Sequence, residues 1–339
     1  MRAALLLRSA LLGIACLGIA GPGGADIERI VYVSPTSIGV NPFLIMGKAG
    51  AEQAGDALGA TVTTVESDTA QSKLENVSAA ANDGADIVIV LGFEFIDIVT
   101  DVAPIFPDTD FLIVDSCLQD EPPDNVHCAV FREYESAFLV GMIAALSSDS
   151  GRIGTIGALD IPFMHRFSDG FALGAEHAVP GITVQTRWIG GQNPFSDPVR
   201  SKEQALALGA DGVDVIFAAA GGGNFGIYEA AQQSGFKAIA VDVNHCPEAP
   251  GLLLDSALKR VDEVIVRAIE RIASGEPASF AAYGLAEEGV GAIALGSNED
   301  IQASECLIAD APDVIARVQA AAAEIADGSL VIEDPMFAQ

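Results

Sequence analysis

Residues 214–231 read DVIFAAAGGGNFGIYEAA. Val215, Ile216 and Phe217 run into Ala218–Ala220, a short stretch with no polar side chain after Asp214. Such a run suits a strand buried on both faces of a parallel sheet. Gly221, Gly222 and Gly223 end it, and residues 227–233 read as a helix. A strand, a glycine turn and a helix can cradle a ligand, because glycine lets the backbone approach closely and a helix N-terminus offers free N–H groups. Gly221, Gly223 and Gly226 also fit the dinucleotide fingerprint G-x-G-x-x-G, with an acid, Asp242, further on. Glycines after a buried strand serve equally as plain turn residues, so the flanking chain has to decide.

Outward from this unit, strands and helices alternate. Before it come strands at 27–34, 61–66, 86–91, 110–114 and 126–131, with helices at 44–58, 72–82, 96–106 and 135–146. The pattern then restarts with strands at 151–157 and 183–188 and helices at 165–178 and 198–208, and a strand at 237–242 follows the central unit. Beyond it lie a helix at 260–273, a strand at 289–295 and a helix at 311–326. Alternation of this kind means parallel α/β sheets. Two runs of similar size predict two doubly wound lobes: 26–146 plus about 258–296, and 147–257 plus about 297–339. The loops at 35–43, 92–95, 115–117, 190–197, 221–226 and 242–246 all follow the carboxyl ends of strands. That is the edge where open parallel sheets bind ligands. Facing lobes would bring these loops to one cleft.

The chain is strongly acidic, with a formal net charge of −30 and a pI near 4.1, which argues against nucleic acid or anionic membrane as partners. Its first residues, MRAALLLRSALLGIACLGIAGPGGAD, combine Arg2 and Arg8 with an apolar run and small residues up to Ala25, the pattern of an export signal over 1–25. Cys16 adds the option of a lipid anchor at a new N-terminus, although Gly13-Ile14-Ala15 lacks the usual lipobox leucine. A location outside the cytoplasm, the periplasm, is expected. There an even set of cysteines suggests disulfides. Cys117 and Cys128 bracket a polar turn and form a natural local pair, leaving Cys246 with Cys306. No C-x-x-C occurs, the four histidines are scattered, and no metal or cofactor is expected. Neither the histidines nor Trp188 show catalytic spacing.

With the pattern laid out, the chain resembles the basic membrane protein family of ABC-transporter substrate-binding proteins, the nucleoside-binding group that includes the purine nucleoside receptor lipoproteins. The resemblance runs over residues 27–332. It is carried by IGVNPF (38–43), LGFEFIDIVTDVAPIFPDTDFLIVD (91–115), FREYESAFLVGMIAAL (131–146), RIGTIGALDIPFMHRFSDGFALGA (152–175), the central stretch 214–231, AIAVDVN (238–244) and DSALKRVD (255–262). It implies a type I periplasmic-binding fold with a crossover hinge, a ligand trapped by lobe closure, and delivery of a nucleoside or purine-like heterocycle to the permease of an ABC importer. A monomer is expected.

Matching the family's motifs residue by residue implies that Phe43 and Phe195 stack on a base, while Asp115, Gly221, Asp242 and Lys259 meet polar groups of the ligand; Asn41, an amide that can both donate and accept, is expected to pair with a base edge. Phe43 and Phe195 lie in polar, proline-containing loops rather than apolar runs, which favours ligand contact over core packing. The two acids end apolar strands and could instead cap the following turns. Phe93 and Phe95 read as packing residues at the rim. The first loop departs from the family pattern: Ser34-Pro35 and Val40 stand in place of acids and Leu44 in place of an asparagine. Those positions help to read the base, so guanine, which needs carboxylate acceptors, is not expected to be the preferred base. Two other functions stay open at this stage. One is a sensor domain of the same fold. The other is an NAD-dependent enzyme using Gly221–Gly226, weakened by the export signal and by the lack of an acid–base constellation.

Overall fold

The computed structural model describes residues 27–337; the expected export signal and Cys16 lie outside them. The first lobe is built from β1 (Arg29–Ser34), α1 (Pro42–Leu58), β2 (Thr61–Glu66), α2 (Ala70–Asn82), β3 (Ile87–Leu91), α3 (Ile96–Val102), β4 (Asp110–Val114) and β5 (Val126–Phe131). After α4 (Glu133–Ser147) the second lobe follows: β6 (Arg152–Gly157), α5 (Pro162–Ala178), β7 (Thr183–Trp188), α6 (Pro198–Ala210), β8 (Val215–Ala219), α7 (Asn224–Ser234), β9 (Lys237–Asp242) and β10 (Leu253–Lys259). The chain then returns through α8 (Val261–Ala273) and β11 (Phe280–Tyr283), and ends with β12 (Val290–Ala292), α9 (Asn298–Ala303) and α10 (Pro312–Ala326).

Two six-stranded sheets result, ordered β11-β5-β4-β3-β1-β2 and β12-β10-β9-β8-β6-β7, parallel throughout except for the antiparallel β10–β12 pair. The strand compositions explain this order. The central strands β3, IVIVL, and β8, VIFAA, are buried at every residue and carry no polar side chain. The edge strands β2, TVTTVE, and β7, TVQTRW, mix threonines and charges with apolar residues and are only partly covered. Continuous apolar runs belong inside a sheet covered by helices on both faces, and mixed ones at its edge.

The two sheets repeat one plan, with β1 to β5 matching β6 to β10 in order. The chain crosses between them after β5, between β10 and α8, and between β11 and β12. These are the three crossovers of the type I periplasmic-binding fold. Both disulfides form, Cys117–Cys128 and Cys246–Cys306.

Particular elements differ from the sequence reading. β10 and β11 were not foreseen. In β10, Asp255 and Ser256 interrupt the apolar run, and β11 is a short edge strand with Phe280 exposed. The helix expected over 96–106 stops at Val102 and gives way to a tighter turn over Ala103–Ile105, where Pro104 removes a backbone donor. The packing also shifts the expected lobe limits. α4 buries Ala137 to Ala145 in the second lobe's core, and β12 pairs with β10 in the second sheet.

Candidate functional site

The carboxyl ends of the two sheets face each other across a cavity of about 310 Å³. That lies at the small end of the range for ligand pockets, roughly 300–1,000 Å³. Asn41, Phe43, Asp115, Phe195, Gly221, Asp242 and Lys259 all line it. The sequence had read these residues from six separate loops and strand ends, and the topology brings them together.

Phe43 comes from the N-terminal turn of α1 and leans on the first lobe's core. Phe195 comes from the loop after β7 and leans on the second lobe's core. The two rings thus belong to opposite walls. Asn41 caps α1, its Oδ1 accepting from the Phe43 N–H at 3.1 Å, which leaves its Nδ2 to donate. Across the cleft, Gly221 holds a left-handed backbone (φ +54°), and a Cβ there would come within 3.2 Å of Asn41 Nδ2 and 3.3 Å of the Phe195 carbonyl. A side chain there would be strained by the left-handed backbone and would press on Asn41 of the other lobe, so glycine suits the position. Gly226 serves otherwise: a Cβ there would overlap the Pro198 carbonyl at the start of α6, so this fingerprint glycine lets α7 pack on α6.

Asp115 directly follows β4 and Asp242 ends β9, corresponding strands of the two lobes, and both have φ +73°. A side chain seldom adopts this region, although aspartate tolerates it better than most. Both carboxylates are buried. Lys259, at the end of β10, is buried too; its Nζ bonds Asp115 and lies 3.0 Å from Glu133 Oε1, an ionic contact. The ammonium also sits 4.8 Å from the centre of the Phe131 ring and 5.1 Å from that of Phe43. Burial opposes its charge, but Asp115, Glu133 and Asp242 outweigh burial and hold its pKa above the usual lysine value.

Burial pushes Asp115 well above the usual carboxylate range; Lys259 opposes this and the Glu133 charge adds to it. Burial would raise Glu133 as well, but Lys259 and Arg166 together hold it low. Asp242 is raised mainly by burial, with Lys259 and His245 partly offsetting it.

The sequence reading missed several neighbours. Glu133 stands at the first crossover, within the stretch FREYES, and nothing local marks it as the partner of a lysine more than a hundred residues away. The loop after β6 and the N-terminal turns of α5 contribute Leu159, Phe163, Met164 and Phe167 to the cavity wall. This stretch is the second lobe's counterpart of the one bearing Phe43, a repeat that could have suggested it. Phe93, read as a rim residue, lines the cavity and lies 6.0 Å from Phe163 of the other lobe, whereas Phe95 is fully buried beneath. Glu94, between them, also lines the cavity.

None of the described helices is long and apolar enough to cross a membrane. The family model for PnrA-like ABC transporter substrate-binding proteins (Bmp) matches residues 27–324. Basic membrane protein A1 of Borrelia garinii subsp. bavariensis is 33% identical over 193 residues, which span 56% of this chain and 56% of that protein. The ABC transporter nucleoside-binding protein BmpA of Lactococcus lactis subsp. cremoris is 32% identical over 174 residues, 51% of this chain and 48% of that protein. These alignments cover about half of each relative. In fold, an ABC transporter solute-binding protein from Aeropyrum pernix K1 superposes with a TM-score of 0.78 at 23% identity, covering 91% of this chain and 94% of that one. With the match extending over both lobes and the cleft between them, the chain belongs to the PnrA-like family of ABC transporter substrate-binding proteins.

Proposed function

We propose that this protein captures a nucleoside or similar hydroxylated heterocycle in its inter-lobe cleft and hands it to the permease of an ABC importer outside the cytoplasm. It works as a monomer and performs no covalent chemistry. The observation that carries this reading is the pairing of Phe43 and Phe195 on opposite walls of one small cavity that Lys259 and Asp242 also line. Aromatic faces suit a flat ring system. A carboxylate accepts from hydroxyls, and an ammonium donates to hydroxyl oxygens. The nucleoside-binding description of the Lactococcus relative supports the same ligand class. The glycine turn fits binding better than NAD chemistry, since Gly221 faces Asn41 of the other lobe and Gly226 serves helix packing.

The test is identification of the ligand that co-purifies with the native protein, followed by calorimetry with nucleosides, free sugars and NAD. Phe43→Ala and Phe195→Ala should each weaken nucleoside binding by roughly 1–3 kcal/mol, the range for base–aromatic stacking. Unchanged affinity in both variants, or binding of sugars or NAD in place of nucleosides, would overturn the reading.

A further inference from the structure

The first loop gives the cavity no carboxylate. Ser34 is fully buried and donates its hydroxyl to the Thr36 carbonyl at 2.8 Å, and Val40 is 68% exposed. Asn41 offers the cavity a donor, because its oxygen is engaged by the Phe43 N–H. Judged by this loop alone, the base edge meets no acceptor with charge.

The next strand in the sheet changes that. β3 lies between β1 and β4, so its loop emerges between Asn41 and Asp115. The loop starts at Gly92 with a left-handed backbone (φ +93°) and turns tightly through Phe93–Phe95. Phe95 drops into the core while Glu94 lines the cavity at its mouth. The carboxylate does not hang free in solvent. Lys73 of α2 grips Glu94 Oε1 at 2.6 Å, and the lysine side chain is only 11% exposed against 36% for the glutamate. A lysine is seldom buried unless paired, and Glu94 is the one ion-pair partner of Lys73 among the described residues. Lys73 thereby fixes one oxygen, while Glu94 Oε2 accepts no protein donor among the described residues. In the second lobe the equivalent turn is Gly221–Gly223, with no side chain at all, so the acidic group is confined to one wall. Of the other carboxylates lining the cavity, Asp115 is held by Lys259, and Asp242 stands on the opposite sheet.

We propose that Glu94, aimed by Lys73, is the specificity-determining residue for the heterocycle and selects ligands whose ring edge presents N–H donors. This rests on the nucleoside reading above. An ionised carboxylate only accepts hydrogen bonds. Guanine presents two adjacent donors, N1–H and the 2-amino group, next to the O6 acceptor, which Asn41 Nδ2 can serve. Unsubstituted purine has no donor on that edge, so Glu94 gains nothing from it. The first loop alone pointed away from guanine; the carboxylate on the neighbouring loop restores the acceptor that guanine requires. Lys73 is a positioning residue, acting only through Glu94.

The experiment is titration calorimetry of wild type, Glu94→Gln and Lys73→Met with guanosine and with purine riboside, with melting temperatures recorded for each protein. Wild type should bind guanosine roughly tenfold or more tightly than purine riboside, the scale of a hydrogen bond to a charged group. Glu94→Gln should lose most of that preference by weakening guanosine alone. Lys73→Met should weaken guanosine less and leave purine riboside unchanged. Equal affinity of wild type for the two nucleosides would overturn the proposal. So would an equal loss on both in Glu94→Gln, which would mark a purely structural role. Binding of neither nucleoside by the wild type would instead bring down the underlying functional reading, and this proposal with it.

Discussion

At the scale of single residues, Asp115 and Asp242 show how the fold holds chemistry under strain. Each stands at the carboxyl end of a buried strand, the two strands corresponding between the lobes, and each turns with φ +73°. Non-glycine residues in such conformations cost on the order of 1–3 kcal/mol and persist where the surroundings dictate them. Asp115 has Lys259 to offset its burial, whereas no protein group among the described residues donates a hydrogen bond to Asp242. Asparagine also tolerates the left-handed region and fills the same space without a charge to bury. Asp242→Asn is therefore expected to melt no lower than wild type and to bind a ribosylated ligand more weakly. Burial raises the Asp242 pKa in the folded state, so its charge costs stability once the pH rises above the ordinary carboxylate range. The variant's thermal advantage should accordingly grow with pH. A variant that melts lower at pH 8 while retaining full affinity would contradict this account.

At the scale of elements, β10 is the instructive case. Asp255 is fully buried in mid-strand and accepts from the backbone N–H groups of Ser256, Ile293 and Ala294, the latter two at 2.8 and 3.0 Å. It ties β10 to the turn that follows β12, and it lies where the pairing of β10 with β9 slips register, between Leu253 and Ser256. Burial pushes its pKa to about 7, against three N–H donors that favour the charged form. A carboxyl with a raised folded pKa contributes most below its unfolded value, and that contribution is lost as pH rises through the folded value. Stability should thus decline between about pH 4 and pH 7, by at most roughly 1.4 kcal/mol per pH unit from this one group. Asp255→Asn should flatten that decline while lowering the melting temperature throughout, because an amide cannot accept all three bonds. Denaturant unfolding across this pH range gives the slopes; an equally steep decline in the variant would assign the effect elsewhere.

The same strand shows what the sequence could and could not reveal. β3 and β8 were legible because both faces are covered and every side chain is apolar, and β4 because only its first residue, Asp110, breaks that pattern. The loops after them were legible as neighbours on one edge, where they line the cavity, because strand ends in parallel sheets point the same way. β10 was hidden by its acid, whose partners lie nearly forty residues on. The cavity's charge pairs were hidden for the same reason. Lys259 could be singled out, but Glu133 and Lys73 matter only through contacts across the fold, and neither local periodicity nor composition reports those.

At the scale of the whole molecule, the hinge is stitched by the chain's own end. Beyond α10 the tail folds back, buries Pro335, and sets Asp334 against Arg166 of α5. Asp334 accepts from Arg166 Nε at 3.0 Å and from Nη2 at 2.6 Å, a bidentate pair. The remaining nitrogen, Nη1, lies 3.3 Å from both the Phe131 carbonyl and Glu133 Oε2. Phe131 closes β5 and Glu133 opens α4, so one arginine of the second lobe clasps the first crossover. Through Glu133 the line of charges continues to Lys259 and Asp115 at the cavity. The pairs are largely shielded from solvent, with Arg166 10% and Asp334 19% exposed in their side chains, so salt screens them less than a surface pair. Asp334→Asn removes the charge that faces Arg166 and leaves the arginine to lean on Glu133 alone, drawing that carboxylate from Lys259. The expected result is a stability loss of roughly 1–3 kcal/mol, the scale of lost hydrogen bonds to a charged group, together with weaker ligand binding although Asp334 does not line the cavity. Glu333→Gln makes the same charge change at the exposed neighbouring residue and should alter neither quantity. Thermal denaturation and calorimetry of the two variants side by side test the stitch. If Asp334→Asn matches wild type in both, the tail merely rests on the surface and the hinge holds without it.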